Sequence, residues 1–183
     1  MKPVLMDTSS AILLHLAGII EPFITACPVG ITTAVLTELT AFGGKGAKEF
    51  SDYIRKDRIT LVETRETASH DCQRLMKLDH GERTLIQAYI NGHGRYIVID
   101  DKKGAQFLRA HNFPYINSLL APRILRAAGA LSANRAQTAF SFLKSRGRYA
   151  GWIIDYAESC PPEDLRFFMP NEREYPTRGE INT

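Results

Sequence analysis

The chain has 183 residues, 44% of them hydrophobic, and a formal net charge of +3. That size and apolar content suit one domain with a true core and exclude a wholly disordered chain. Three scattered cysteines (Cys27, Cys72, Cys160) form no C-x-x-C pair, which argues against a disulfide framework or a zinc ribbon and for reduced, mostly buried thiols. No basic opening leads into a long apolar stretch, and no run approaches the roughly 18 apolar residues of a membrane span, so a cytoplasmic protein is expected.

The charge is unevenly spread. Residues 151–183 carry seven acids and three bases, a net of −4, which leaves 20 bases and 13 acids, a net of +7, in residues 1–150. A basic body suits a polyanionic partner, although an ordinary solvated surface can carry the same surplus.

Residues 3–6 read as a short buried strand with Pro3 at its tolerated first position. Thr8-Ser9-Ser10 offers cap hydroxyls to a helix carrying Ile12, Leu13, Leu16 and Ile19-Ile20, with a break at Glu21-Pro22 before a second short helix around Phe23-Ile24. Val29-Gly30-Ile31 reads as a strand, and Thr32-Thr33 caps a helix reaching about Ala41. A flexible connection, Phe42 to Gly46, leads to a helix over 47–55 and a strand over 59–62. Helices are expected over 66–77 and 81–91, a strand over 96–99, a helix over 103–111, a short strand at Pro114-Tyr115-Ile116, and a helical pair over 118–129 and 133–146 around Gly129. Strands alternating with helices imply a mostly parallel sheet covered on both faces, an α/β architecture. The expected division is a domain over 1–150 and, over 151–183, a C-terminal helix with an acidic, proline-punctuated tail that from Cys160 reads as an extended arm or a frayed tail.

Four carboxylates interrupt these patterns. Asp7 closes the apolar run Val4-Leu5-Met6, and Asp101, after Asp100, closes Tyr96-Ile97-Val98-Ile99. Glu82 begins a helical face continued by Leu85, Ile86, Tyr89 and Ile90; Glu38 falls on the side of Val35, Leu39 and Phe42. Each has an ordinary alternative: an N-cap for the aspartates, a first-turn charge favoured by the helix dipole for Glu82, a boundary residue for Glu38. Together they suit a cage of hard oxygen ligands. Ligands of parallel α/β sheets bind beyond the carboxyl ends of strands, and clustered carboxylates are best tolerated around a divalent cation. Such cages act on phosphates.

These residues carry a family resemblance. Val4-Leu5-Met6-Asp7-Thr8-Ser9, Val35-Leu36-Thr37-Glu38-Leu39, Asp79-His80-Gly81-Glu82-Arg83 and Ile99-Asp100-Asp101-Lys102-Lys103-Gly104-Ala105 resemble, in order and spacing over about residues 3–130, the motifs of the PIN-domain ribonucleases, particularly the VapC-like toxins of toxin–antitoxin pairs. The resemblance implies a three-layer α/β/α fold and metal-dependent RNA cleavage with Mg²⁺, for which Mn²⁺ substitutes. It implies a catalytic quartet of Asp7, Glu38, Glu82 and Asp101, with Asp7, Asp101 and Glu82 as metal ligands. Many members carry Thr two residues before the last Asp, where this chain has Ile99, so Asp100 stands as the alternative to Asp101. Thr8 and Ser9 follow the first Asp and, with Arg83 and Lys102, are candidates to meet substrate. The family also implies a small antitoxin covering the groove and a homodimer.

Other chemistries fit less well. His70, Cys72 and His80 match no common zinc spacing, Ser9 and Ser10 lie in no nucleophile elbow, and there is no P-loop or G-x-G-x-x-G. A catalytically silent RNA- or protein-binding module and another Mg-dependent phosphotransfer protein remain the alternatives. Arg123, Arg126, Arg135, Arg146 and Arg148 read either as an RNA-facing strip or as the polar face of helices packed through Leu125, Phe140 and Leu143.

Overall fold

In a computed structural model of the chain, residues 1–41, 46–65 and 72–169 are described. Five short strands, β1 (Val4–Met6), β2 (Val29–Thr32), β3 (Ile59–Val62), β4 (Ile97–Val98) and β5 (Tyr115–Ile116), form one parallel sheet in the order β3-β2-β1-β4-β5. Helices α1 (Thr8–Leu16), α2 (Ile20–Ala26), α3 (Thr33–Thr40), α4 (Ala47–Arg55), α5 (Cys72–Leu75), α6 (His80–Ile90), α7 (Lys102–Ala110), α8 (Ala121–Ala127), α9 (Ala133–Arg146), α10 (Gly151–Ser159) and α11 (Pro162–Phe168) surround it. The result is the expected three-layer α/β/α arrangement. Strands covered on both faces should be apolar throughout, and all of β1, β2 and β4 is buried.

The strand order fixes where a ligand can sit. From β1 the chain winds outward to β2 and β3, then returns to the other side of β1 for β4 and β5. The β1–β4 boundary is therefore the topological switch point, where a crevice opens beyond the strands' carboxyl ends. Met6 pairs with Val98, and the Asp7 amide donates to the Val98 carbonyl at 3.1 Å. The residues following these two strands, Asp7 on one and Ile99-Asp100-Asp101 on the other, are thereby brought side by side.

Several local expectations are corrected. The first helix ends at Leu16 because Gly18 adopts a φ of +68°, and the second begins at Ile20. Pro22 thus lies inside the first turn of α2, where its missing N–H costs nothing, and does not break a helix. The region expected to be helical from 118 starts with a 3-10 turn, Ser118–Leu120, before α8. The chain from Cys160 is not an extended arm as far as 169: α11 packs through Leu165, Arg95 donates to the Met169 and Phe167 carbonyls, and the Tyr96 hydroxyl donates to the Phe168 carbonyl at 3.0 Å. Residues 66–71 of the helix expected over 66–77, residues 42–45 of the expected connection and the tail beyond 169 lie outside the described residues. Cys27 and Cys160 are buried free thiols. No single helix among the described residues is long and apolar enough to cross a membrane.

Candidate active site

Helix caps aim the carboxylates. Asp7 is the N-cap of α1: its Oδ1 accepts from the Ser10 amide at 2.9 Å, and its Oδ2 accepts from the Ser9 hydroxyl at 2.6 Å. Asp101 caps α7, with Oδ1 accepting from the Lys103 and Gly104 amides at 2.6 and 3.1 Å. Asp79 caps α6 through the Glu82 amide at 2.9 Å. The capping bonds that satisfy helix ends also orient acids at the mouth of the sheet.

Asp100 does not cap. Ser10 Oγ donates to its Oδ2 at 2.7 Å, the Ser118 hydroxyl donates to the same oxygen, and the Ser118 amide lies 3.2 Å from Oδ1. Ser10 therefore ties the two strand-end acids together, its amide on Asp7 and its hydroxyl on Asp100. The Tyr149 phenol, its oxygen fully enclosed, stands against Asp100 from the segment after α9.

Glu82 lies in the buried stripe, as its spacing predicts: it is 5% exposed, and Asp7 is 4% exposed. In a capping box a glutamate at this position reaches back to the cap amide; Glu82 instead shares a hydrogen bond with Asp101. Glu38 departs from expectation. It shares a helix side with the buried Val35 and Leu39, yet its own side chain is exposed at the cleft rim, where Thr8 Oγ1 donates to Oε2. α6 comes so close that a Cβ on Gly81 would fall 2.6 Å from Glu38 Oε1. The Gly-Glu pair of the motif therefore has a steric reason: glycine makes room for one carboxylate, and the next residue supplies another.

All these acids line one cleft of about 420 Å³: Asp7, Glu38, Asp79, Glu82, Asp100 and Asp101, with Thr8, Ser9, Arg146 and Arg148. Arg83 and Lys102 are not in its lining; Arg83 meets His80 Nδ1 at 3.1 Å, and Lys102 is exposed on the first turn of α7. Ser10, read from the sequence only as a cap hydroxyl, joins the site through Asp100, and Ser118, Tyr149 and Asp79 join it without having been singled out as site residues. Asp79 alone had a readable signal, as an N-cap three residues before Glu82; the others arrive through contacts distant in the chain.

The electrostatics divide the acids into two groups. Burial, then the Asp100 charge, push Asp7 up to about 7. Burial raises Asp100 as well, against the hydroxyls of Ser118 and Ser10. Burial, then the hydrogen bond and charge of Asp101, push Glu82 up to about 8. In Asp101 the effect of burial is outweighed by the Glu82 hydrogen bond and the α7 amides, and its carboxyl is held below the usual range. Near neutral pH, Glu82 is thus a neutral acid donating to an ionised Asp101.

A hard divalent cation suits this donor set: every candidate ligand is a carboxylate oxygen, and three of the acids, Asp7, Asp100 and Glu82, are raised by burial, with a neighbouring carboxylate adding to it at Asp7 and Glu82. The acids are not closed around a point, however. Among the described residues, no three His, Cys, Asp or Glu side chains are gathered as a metal-binding group.

A family model described as a PIN domain matches residues 3–151. The chain belongs to the PIN-domain family. The match spans every element from β1 to α9 and carries a nuclease-type fold, in which divalent metal and a nucleic-acid substrate are usual. No curated protein and no solved structure matches the chain. In this PIN domain α10 and α11 lie almost wholly beyond the matched segment, and Arg123 fastens them to α8 by donating to the Ala157 and Cys160 carbonyls at 2.9 Å each. That arginine is structural. Of the two readings of the Arg-rich stretch, packing through Leu125, Phe140 and Leu143 is what the fold shows, while Arg146 and Arg148 turn into the cleft.

Proposed function

We propose that the chain is a Mg²⁺-dependent endoribonuclease and the toxin of a toxin–antitoxin pair. The observation that carries the nuclease reading is the convergence of Asp7, Glu38, Glu82, Asp100 and Asp101, from four separate chain segments, in one cleft at the switch point of a PIN fold. The cation would be held by Asp7 and Asp100 on one side and by Asp101 with Glu82 on the other; Mn²⁺ has the same ligand preferences and would substitute. When bound, the cation supplies positive charge for the phosphodiester oxygens and makes water more acidic.

The protein's own groups do the rest. Ser9, Ser10 and Ser118 keep the Asp7 and Asp100 oxygens directed into the cleft. The Glu82 carboxyl, pushed up to about 8, holds a proton against Asp101. Glu38, at the rim and hydrogen-bonded by Thr8, would accept a proton from the water that attacks the phosphorus in line as the P–O bond to the departing ribose oxygen breaks. The toxin role rests on the resemblance of the four motifs to VapC-like proteins. It implies a small antitoxin that covers the acidic groove, a cytoplasmic location and a homodimer.

The test is RNA cleavage by the partner-free protein with Mg²⁺ and with EDTA, on wild type and Asp7→Asn. Cleavage only by wild type with Mg²⁺ is expected; no metal-dependent cleavage of any RNA by folded protein refutes the nuclease reading. The alternative is a catalytically silent RNA- or protein-binding module that uses the same cleft. Retained RNA or protein binding without cleavage is its signature.

A further inference from the structure

Arg146 is the last residue of α9 and Arg148 lies in the segment leading to α10; both are exposed and both line the acidic cleft. An arginine beside carboxylates usually closes on them as a bidentate pair. Here neither does. The ion pairs formed by described residues join Arg55 to Asp52, Arg58 to Glu21 and Lys144 to Glu158, and none involves a cleft acid.

The acids have other partners. Asp7 and Asp100 are held by serine groups, and Asp101 by helix amides and Glu82. Two guanidiniums thus stand in a cleft with six carboxylates and are neutralised by none of them. Their position is nonetheless built. The Arg146 guanidinium lies 5.7 Å from the centre of the Phe142 ring, the Tyr149 ring folds back against Gly147, and the Tyr149 phenol is enclosed beside Asp100.

We infer that Arg146 and Arg148 clamp the backbone phosphates of an RNA strand across the mouth of the acidic cleft. A polyanion approaching six carboxylates meets repulsion, and cations carried by the protein at the rim are what allow it to enter. The guanidinium is suited to this because its fork binds two phosphate oxygens at once. The inference rests on the nuclease reading for the identity of its ligand. A second basic groove, lined by Arg74, Lys77, Lys103 and His111, is the competing location for the strand.

The experiment measures binding of a fluorescent single-stranded RNA to the full chain carrying Asp7→Asn, over a series of salt concentrations. Arg146→Ala with Arg148→Ala is compared with Lys144→Ala on the same helix and with Arg74→Ala plus Lys77→Ala. The clamp predicts at least tenfold weaker binding for the first pair. It also predicts a log K against log salt slope shallower by about 1.4, the loss of two phosphate contacts to a single strand. Lysine at both positions should keep the salt slope and lose part of the affinity. Unchanged affinity and slope in the first pair, loss confined to the Arg74 and Lys77 pair, or no RNA binding by any form overturns the clamp. Cleavage by wild type separates the two proposals: arginine-dependent binding without any cleavage removes the nuclease reading and leaves the clamp, whereas cleavage and binding indifferent to the arginines do the reverse.

Discussion

The two sides of the cleft manage their negative charge differently. On the β1–β4 side, Asp7 and Asp100 face each other and receive hydroxyl and amide donors, with Ser10 shared between them. On the α6–α7 side, Glu82 and Asp101 share a proton, and their charge is reduced by chemistry internal to the pair. The first side is fixed by the sheet, since the Asp7 amide belongs to the ladder with β4. The second depends on the closeness of two helix N-termini. The β1–β4 side should therefore be the rigid anchor of a cation, and the α6–α7 side the one that yields a proton on binding.

The sharpest break of this contrast is at Asp7. Asp7→Asn should lower metal-dependent RNA cleavage on the order of 10³-fold, since it removes a ligand from the anchored side. The same change should raise the melting temperature of metal-free protein at pH 8, because it deletes a charge that burial disfavours. Next are the adjacent acids of the second strand end. Asp100→Asn should cost on the order of 10²-fold in activity and leave α7 folded. Asp101→Ala should also remove the cap of α7, costing about 1 kcal/mol of stability in thermal unfolding.

pH acts on both sides in the same direction. Asp7 and Glu82 hold protons more tightly folded than unfolded, so the native state is favoured at low pH and that advantage is lost as pH rises. For Asp7 the loss runs from the ordinary carboxyl value of 3.8 up to about 7, and for Glu82 from 4.5 up to about 8. Metal-free protein should thus melt several degrees higher at pH 5.5 than at pH 8, with Mg²⁺ narrowing the gap. A melting temperature that climbs over that range would contradict the assignment. Ser10→Ala, which removes the hydroxyl on Asp100, should weaken Mn²⁺ affinity about tenfold, as loss of a ligand-orienting group commonly does. Gly81→Ala is the smallest change. It should leave the melting temperature nearly unaltered, since alanine favours a helix, while displacing Glu38 and reducing turnover about tenfold.

How much of this was legible in the chain depends on how local each signal is. Asp7 and Asp101 close apolar runs, and Glu82 heads an apolar helical face, so their placement follows from periods of two and 3.6 residues. Glu38 has the same kind of pattern and came out exposed. A helical face shows which side of a helix points inward, not which residues on that side border an open cleft, and Glu38 lies at the rim of one. Asp100 and Asp101 were not separable by pattern. Both follow one strand, and their division of labour comes from Ser10 and Ser118, which are distant in sequence. The arginines at 146 and 148 were readable as charge but not as location, because only the packing of α9 against α1 and α8 brings that helix end to the acids. The C-terminal segment misled for a related reason: Pro161-Pro162 reads as extended chain, yet proline is well suited to a first helical turn.

On this reading the carboxylates should form one cation cage anchored on the β1–β4 side. Its most direct test is the anomalous difference map of a crystal soaked in Mn²⁺. A peak is expected within about 2.5 Å of carboxylate oxygens of both Asp7 and Asp100. Occupied Mn²⁺ sites elsewhere, with the cleft empty at saturating metal, would contradict it.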